Sequence, residues 1–295
     1  MKKYINRNVL FAWVFILLIL GCGKSGDTPA PTPPTPPTPP TPPPTPKTCI
    51  ISSISQQNSG SKSEFSLNIQ YDGNLNPIKI GVYDSSQNIR LLDANLTYVT
   101  SDSVRLDSYQ YFKLDASKRV VVFVTKEDMT VPTLSDNYRF EYKYSSDGYL
   151  TTKLLYINGS TTPQYTTDYS YSNGLLVSCS MTASTAGNKK VLESTLTYDA
   201  TLSPKTMIYT FPDGFESSLY SAALNFGIRP SKPLTKVVTK IYDPGTSNVL
   251  DTWTTNYSGY NIDSNGYLSN GLSTGDQQQG IFLFYGKTNF IYQCK

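Results

Sequence analysis

Without a single histidine, the chain is barred from most familiar catalytic constellations. Serine triads, cysteine–histidine dyads and histidine-bound zinc all depend on an imidazole that titrates or ligates near neutral pH. Carboxylate, thiol and aromatic chemistry remain. Glycoside hydrolysis needs only two carboxyl groups across a cleft. However, Asp147, Asp213 and Asp263 all stand in glycine-containing turns, where Asp hydrogen-bonds its own backbone. No carboxylate pair is marked, so no catalytic residue is assigned. Asp263-Ser264-Asn265-Gly266 carries calcium-type oxygens without the spacing or terminal Glu of a calcium loop, and neither a metal nor a cofactor is expected.

Thiols offer structure before chemistry. Cys22 belongs to the export segment described below, which leaves Cys49, Cys179 and Cys294. Three thiols allow three different single disulfides. Cys49 and Cys294 bracket the domain and are the favoured pair, which in the chain-entropy model contributes about 5 kcal/mol; three unpaired, buried cysteines are the alternative. No base stands beside Cys179 to make it a nucleophile. Among the aromatics, Trp253, Tyr257 and Tyr260 cluster and are the candidates for stacking on a sugar ring. The other tyrosines read as strand residues whose rings pack across a sheet while their hydroxyls stay wet.

The elements that must hold these residues begin with an address. Lys2, Lys3 and Arg7 precede the apolar run Val9–Leu20, the n-region and h-region of a secretory signal, too short for a spanning helix. Ile19-Leu20-Gly21-Cys22 resembles the bacterial lipobox, in which the cysteine is acylated and becomes the first mature residue. More than one buried acyl chain gives stable anchoring. Residues 1–21 are therefore read as a lipoprotein signal peptide. Residues 22–48 are a lipidated Cys followed by a Pro/Thr tether containing units such as Thr35-Pro36-Pro37. Proline fixes φ, so this tether is expected to be an extended polyproline II rod of roughly 60 Å.

Residues 49–295 form the predicted β domain. Phe65, Leu67, Ile69 and Tyr71 alternate with Ser66, Asn68 and Gln70, the period of a half-buried strand. Phe140, Tyr142 and Tyr144 repeat the pattern, as do Tyr169 with Tyr171 and Leu196 with Tyr198. Turns follow in kind: Ser145-Ser146-Asp147-Gly148-Tyr149-Leu150, Ser172-Asn173-Gly174-Leu175 and Asp263-Ser264-Asn265-Gly266-Tyr267-Leu268. Their Asp-Gly and Asn-Gly steps supply the positive φ of hairpin turns. Tyr71 to Tyr98, Tyr144 to Tyr171 and Tyr171 to Tyr198 each span about 27 residues, enough for two strands and two turns. Two continuously apolar runs, Val120–Val124 and Ile281–Tyr285, predict strands buried on both faces. A short helix over Glu216–Phe226, with Leu219, Ala222, Ala223 and Phe226 on one side and Gly227 ending it, is the expected cover.

The Tyr-x-Tyr-Asp/Ser-x-x-Gly-x-Leu unit is similar to the tyrosine-aspartate repeats of Rhs-type surface proteins, although its spacing here is longer. The order of lipobox, proline tether and repeats resembles Bacteroidetes lipoproteins described as having a porin-like fold, over about Ser61 to Lys295. That resemblance implies an all-β fold, a long antiparallel meander, curled or barrel-like, with at most one or two short helices and no catalytic residues to carry over.

Charge narrows the partners. Three of the 25 basic residues lie in the signal, leaving 22 against 22 acidic ones. The excess of cations that drives nucleic-acid binding is missing. The expectation is an outer-membrane lipoprotein, on the cell-surface or periplasmic side, held in the bilayer by acylated Cys22. Its non-catalytic domain would bind a polysaccharide or an envelope protein. The alternatives are a carbohydrate-active enzyme with an unrecognised carboxylate pair, or a purely structural envelope subunit with an exposed strand edge.

Overall fold

Alternation becomes burial strand by strand. In β2 (Phe65–Tyr71), Leu67 and Ile69 are buried between exposed Asn68 and Gln70, as a pleated ribbon with one face on a core requires. The computed structural model describes residues 49–57, 65–85, 88–126, 137–205, 220–276 and 286–294. The predicted signal peptide, Cys22 and tether, Asp213, Leu219 and the run Ile281–Tyr285 lie outside the described residues.

The domain is one antiparallel, barrel-like sheet of 17 strands. The first eight are β1 (Cys49–Gln57), β2, β3 (Pro77–Asp84), β4 (Ile89–Asn95), β5 (Thr97–Thr100), β6 (Ser103–Arg105), β7 (Tyr111–Leu114) and β8 (Val120–Lys126). Then come β9 (Asn137–Tyr144), β10 (Leu150–Ile157), β11 (Tyr165–Ser172), β12 (Leu175–Ala183) and β13 (Lys189–Tyr198). The last four are β14 (Leu234–Tyr242), β15 (Val249–Ile262), β16 (Leu268–Gly275) and β17 (Gly286–Cys294). Apart from β4 and β5, strands pair with their chain neighbours, and β1 pairs with both β2 and β17, bringing the meander round on itself.

Closure is incomplete at one place. Only Leu96 separates β4 from β5, and its N–H donates to the Ile78 carbonyl at 2.8 Å, continuing the β3–β4 ladder. The two are halves of one bent strand, the first bonded to β3 and the second to β6. Because β6 stops at Arg105, opposite Thr97, the outer edge of β4 has no ladder partner among the described residues.

Hairpin turns gather at the two ends. At the end where Cys49 starts β1 and Cys294 finishes β17, four turns share one chemistry. Asp72, Asp115 and Asp263 each accept two backbone N–H groups on Oδ1, from Asn74 and Asn76, Ser117 and Arg119, and Asn265 and Tyr267. Ser145 takes the same place with Oγ, accepting from Tyr149. The fourth residue of each turn has positive φ: Leu75, Lys118, Gly148 and Gly266. These are three-residue loops closing on a left-handed residue. Asn173-Gly174, where both φ values are positive, is the two-residue form. The Asp-Gly step predicted at Asp147-Gly148 therefore uses only the glycine's freedom.

The barrel is filled. One hydrophobic cluster takes Ile54, Leu67, Ile80, Val104, Phe112, Phe123, Phe140, Leu155, Tyr169, Leu196, Val237, Tyr257 and Phe290 from successive strands. Further from the disulfide end the inward positions become small and polar, with Thr125, Thr167, Ser194, Thr255, Ser273 and Thr288 buried. Ser194 and Thr239 share a hydrogen bond of 2.8 Å there. Outward positions include exposed polar Lys143, Asp168, Thr195, Thr197, Lys236 and Asn256, with apolar Leu91, Leu272 and Ile291 scattered among them. A barrel that spans a bilayer shows the opposite alternation, with an apolar outer band.

The expected cover differs from its prediction. Ala223 and Leu224 N–H groups bond to the Tyr220 carbonyl, making one helical turn, after which the chain runs extended. The buried residues are Tyr220, Ser221, Leu224 and Phe226, with Ala222 and Ala223 only half-buried. The helix does not continue to Phe226 because Asn225 pairs with the start of β8: its carbonyl accepts from Val120 N–H at 2.8 Å. Tyr220 packs between Phe112 and Phe123, at 5.1 and 5.4 Å between centroids, and Phe226 meets Tyr142 edge-on at 5.1 Å. This segment plugs the disulfide end. Val120 and Phe123 of the apolar run are buried and Val121, Val122 and Val124 half-buried.

Candidate functional site at the barrel mouth

At the disulfide end, the repeat tyrosines have a common task. Among the described residues, five phenols reach back to a backbone carbonyl near the start of an earlier strand. Tyr71 donates to Ile51, Tyr144 to Val120, Tyr198 to Leu176, Tyr260 to Leu234 and Tyr292 to Leu268, at 2.6 to 2.7 Å. Each ring tucks under one hairpin, and its hydroxyl satisfies an acceptor that water reaches poorly. Burial pushes Tyr71 up to about 12 and raises Tyr144, Tyr198, Tyr260 and Tyr292 above the ordinary tyrosine value as well. Tyr171 occupies the same kind of position, but no described residue hydrogen-bonds its buried hydroxyl.

Tyr98 departs from the rule. It lies 27 residues after Tyr71 and shares the inner side with its ladder partner Val104. The corresponding earlier strand start is Pro77. Yet no described residue hydrogen-bonds the Tyr98 hydroxyl, and the side chain is 36% exposed. Partial burial, with the nearby Asp72 charge, raises it to about 12.

The space beside Tyr98 is a cleft of about 540 Å³. Asn76 and Pro77 form one wall, Tyr98, Thr100 and Ser101 a second, Leu114 and Lys118 a third, and the plug residues Ala223, Leu224 and Asn225 the last. Its polar walls are braced. The Asn76 amide donates to Asp72 Oδ2 at 3.0 Å, Thr100 Oγ1 donates to Asp102, and the Lys118 ammonium donates to the Ser101 carbonyl. Asn225 Oδ1 accepts the Gly227 N–H at 2.9 Å. The Thr100 hydroxyl bond holds the Asp102 carboxyl below the usual range.

A second hollow, about 300 Å³, lies on the outer face of β2 to β4. Asp93 sits there between Lys79, at 2.9 Å, and Arg90, and the hydrogen bond from Lys79 lowers its carboxyl. Among the described residues, Asp93 is the single carboxylate lining this hollow, and the mouth cleft is lined by none. The described residues hold no cluster of three metal-ligating side chains. Asp263 serves its turn, as above.

The cluster read from sequence as a stacking surface is not one. Tyr257 is 4% exposed and points into the core. The register shifts between Ser258 and Asn261, where Gly259 has a φ of +63°, and this bulge turns Tyr260 to the same inner side. Tyr260 there bonds to Leu234. Trp253 is half-buried, with Nε1 donating to Asp251. Cys49 and Cys294 face each other across β1 and β17 and are joined in a disulfide, and Cys179 is a buried thiol outside that bond. The sequence held only a weak sign of Tyr98: Val99 and Thr100 follow it, where a polar residue, Asp72, Ser145, Asp199, Asn261 or Gln293, follows each of the five clamp tyrosines.

No family model and no curated protein sequence matches the chain. Solved structures that superpose on it include two porin-like proteins. A porin-like protein from Bacteroides vulgatus has a TM-score of 0.54 at 12% identity, over 83% of this chain and 99% of the other. A porin-like protein from Bacteroides uniformis has a TM-score of 0.53 at 13% identity, over 82% of this chain and 96% of the other. At such identities the likeness is one of fold, and it covers most of the barrel.

Proposed function

We propose that this protein is an envelope lipoprotein, anchored through acylated Cys22, whose β domain is a non-catalytic binding module displayed on the Pro/Thr tether. Its partner is a polysaccharide or an envelope protein. The observation that carries the binding role is the braced cleft at the mouth of a filled barrel, since pockets at barrel mouths are common ligand sites. A disulfide joining the two edges of the domain suits an oxidising compartment outside the cytoplasm. Exposed charged and polar side chains on the outer face, such as Lys143, Asp168, Lys236 and Asn256, favour a barrel held beside a membrane over one embedded in it. Metabolic labelling with a fatty-acid analogue tests the anchor. Wild type should carry the label and Cys22→Ser should not; equal labelling of both would remove the lipoprotein reading.

The open edge of β4 favours a second reading, an assembly subunit. Leu96 bonds to β3 through its N–H, so by the alternation of an antiparallel ladder Asp93 and Asn95 turn their backbone groups to the open side. Such an edge can accept a strand from another chain. Chemical crosslinking in intact cells with a photoreactive residue at Leu91, which is 57% exposed, should then trap a protein. Crosslinking no stronger than at exposed Lys240 on the far side of the barrel would count against it.

A further inference from the structure

We propose that the mouth cleft is a glycan site and that Tyr98 is the ring on which a sugar stacks. The inference rests on the reading of the domain as a binding module and names the ligand class of its cleft. Its warrant is an internal comparison. The repeat repeatedly places a tyrosine at this end, and in five cases the phenol is tied to a carbonyl. At Tyr98 the same residue type, on the same inner side, is released from that duty and lines an open space.

Tyr98 could have been relieved of its carbonyl for want of room, but the plug leaves a cleft of about 540 Å³ there, within the usual size of small-molecule sites. The chemistry around the ring selects a class of ligand. A pyranose has an apolar C–H face, suited to an aromatic ring, and a rim of hydroxyls that both donate and accept. Tyr98 supplies the ring and an unengaged hydroxyl. Asn76, Thr100 and Asn225 supply amide and hydroxyl groups held in place by their own partners, so ligand binding orders little that is not already ordered.

Other classes fit less well. Among the described residues the one cation lining the cleft is Lys118, already donating to Ser101, which is poor provision for a phosphate or polyanion. An extended peptide is recognised through a ladder edge, whereas the strand residues lining this cleft, Pro77, Tyr98, Thr100 and Leu114, are already paired in their ladders, and the rest of the wall is turns and the plug. Leu114, Leu224 and Pro77 give some apolar surface, enough for one or two sugar rings and too interrupted for an acyl chain. A neutral hexose-containing oligosaccharide is the ligand the cleft is built to take.

The test uses the full-length protein in a detergent with no sugar headgroup, screened against an array of neutral and acidic glycans. Affinities for a hit are then measured by calorimetry, with unfolding curves confirming that each variant folds. Wild type should bind a neutral glycan. Tyr98→Ala should weaken binding roughly tenfold or more, and Tyr98→Phe, which keeps the ring, should stay within about threefold. Thr100→Arg, which fills the cleft and leaves Tyr98 alone, should also abolish binding. Glycan binding that survives Tyr98→Ala and Thr100→Arg would overturn the site and leave the binding-module reading standing. A blank array overturns the sugar assignment; a photoreactive residue at Thr100 then decides whether a protein occupies the cleft, and no adduct in cells would end the binding-module reading as well.

Discussion

The hydroxyl of Tyr260 lies 2.6 Å from the carbonyl oxygen of Leu234, 26 positions earlier in the chain and at the start of the preceding strand. Leu234 is itself 1% exposed, so if Tyr260 is cut back to Phe this carbonyl loses its phenol with little water to replace it. Leaving a buried acceptor unsatisfied costs about 1 to 3 kcal/mol, and Tyr260→Phe should lower the free energy of urea unfolding by that amount. Tyr171→Phe is the control, because no described residue hydrogen-bonds its buried hydroxyl; it should fall within about 0.5 kcal/mol of wild type. Equal losses for the two would mean that the phenol–carbonyl bond contributes nothing.

The same clamps predict how the protein responds to alkali. Burial holds Tyr71 at about 12 and raises Tyr144, Tyr198, Tyr260 and Tyr292 above their unfolded value of 10.0. Below pH 10 these phenols are neutral in both folded and unfolded chains, and their contribution is present in full. As pH rises beyond 10 the unfolded chain ionises first and is stabilised, so folding stability declines and is lost through the folded values, from about 12 upward. The urea midpoint should be level up to about pH 10 and then fall steeply. Tyrosinate absorbance from the clamps should rise together with the loss of circular dichroism. Complete ionisation while the β signal persists would contradict their burial.

Cys49 and Cys294 close a loop with a sequence separation of 245. The β1–β17 ladder alongside them continues as far as Gln57 and Lys287, so removing the bond leaves the seam hydrogen-bonded. The loss should appear mainly as greater freedom of the unfolded chain, about 5 kcal/mol in the chain-entropy model. Cys49→Ala with Cys294→Ala should therefore keep the native circular dichroism and unfold at much lower urea. A decrease under about 1 kcal/mol would place the stability elsewhere. Cys179, 1% exposed, should resist thiol reagents until the barrel opens.

Much of this was readable before coordinates because it is local. The alternation through Leu67 and Ile69 needs only one core face, and the turn at Asp263 needs only its own carboxylate and the two N–H groups behind it. Where the reading failed, distant partners decided. Tyr260 belongs to an apparent aromatic cluster in sequence, but the bulge at Gly259 turns it inward onto Leu234. The segment before Gly227 has helical spacing, yet Asn225 is claimed by Val120, whose strand lies about a hundred residues away. Tyr98 is exposed because β6 and β7 are short and the plug stops beside it, and neither fact is written near residue 98.

The plug offers the most demanding test of the packing at this end. Gly227 has a φ of +92°, and a Cβ there would stand 2.7 Å from the Gly148 carbonyl oxygen and 2.9 Å from the Tyr144 ring. Neither neighbour can yield cheaply. Gly148 belongs to the β9–β10 turn, where its carbonyl accepts the Ile228 N–H at 3.0 Å. Tyr144 is fixed by its bond to Val120, with the Arg119 guanidinium 4.6 Å above its ring. Gly227→Ala should cost on the order of 3 kcal/mol, combining left-handed backbone strain with the clash. Gly159 separates these two terms: its φ is +73° but nothing lies within 4 Å of its Cβ position, so Gly159→Ala should show the strain alone, about 1 kcal/mol. Urea unfolding of both variants decides the matter. If they lose equal stability, the plug is not wedged between Gly148 and Tyr144, and the wall it lends to the mouth cleft is softer than the geometry requires.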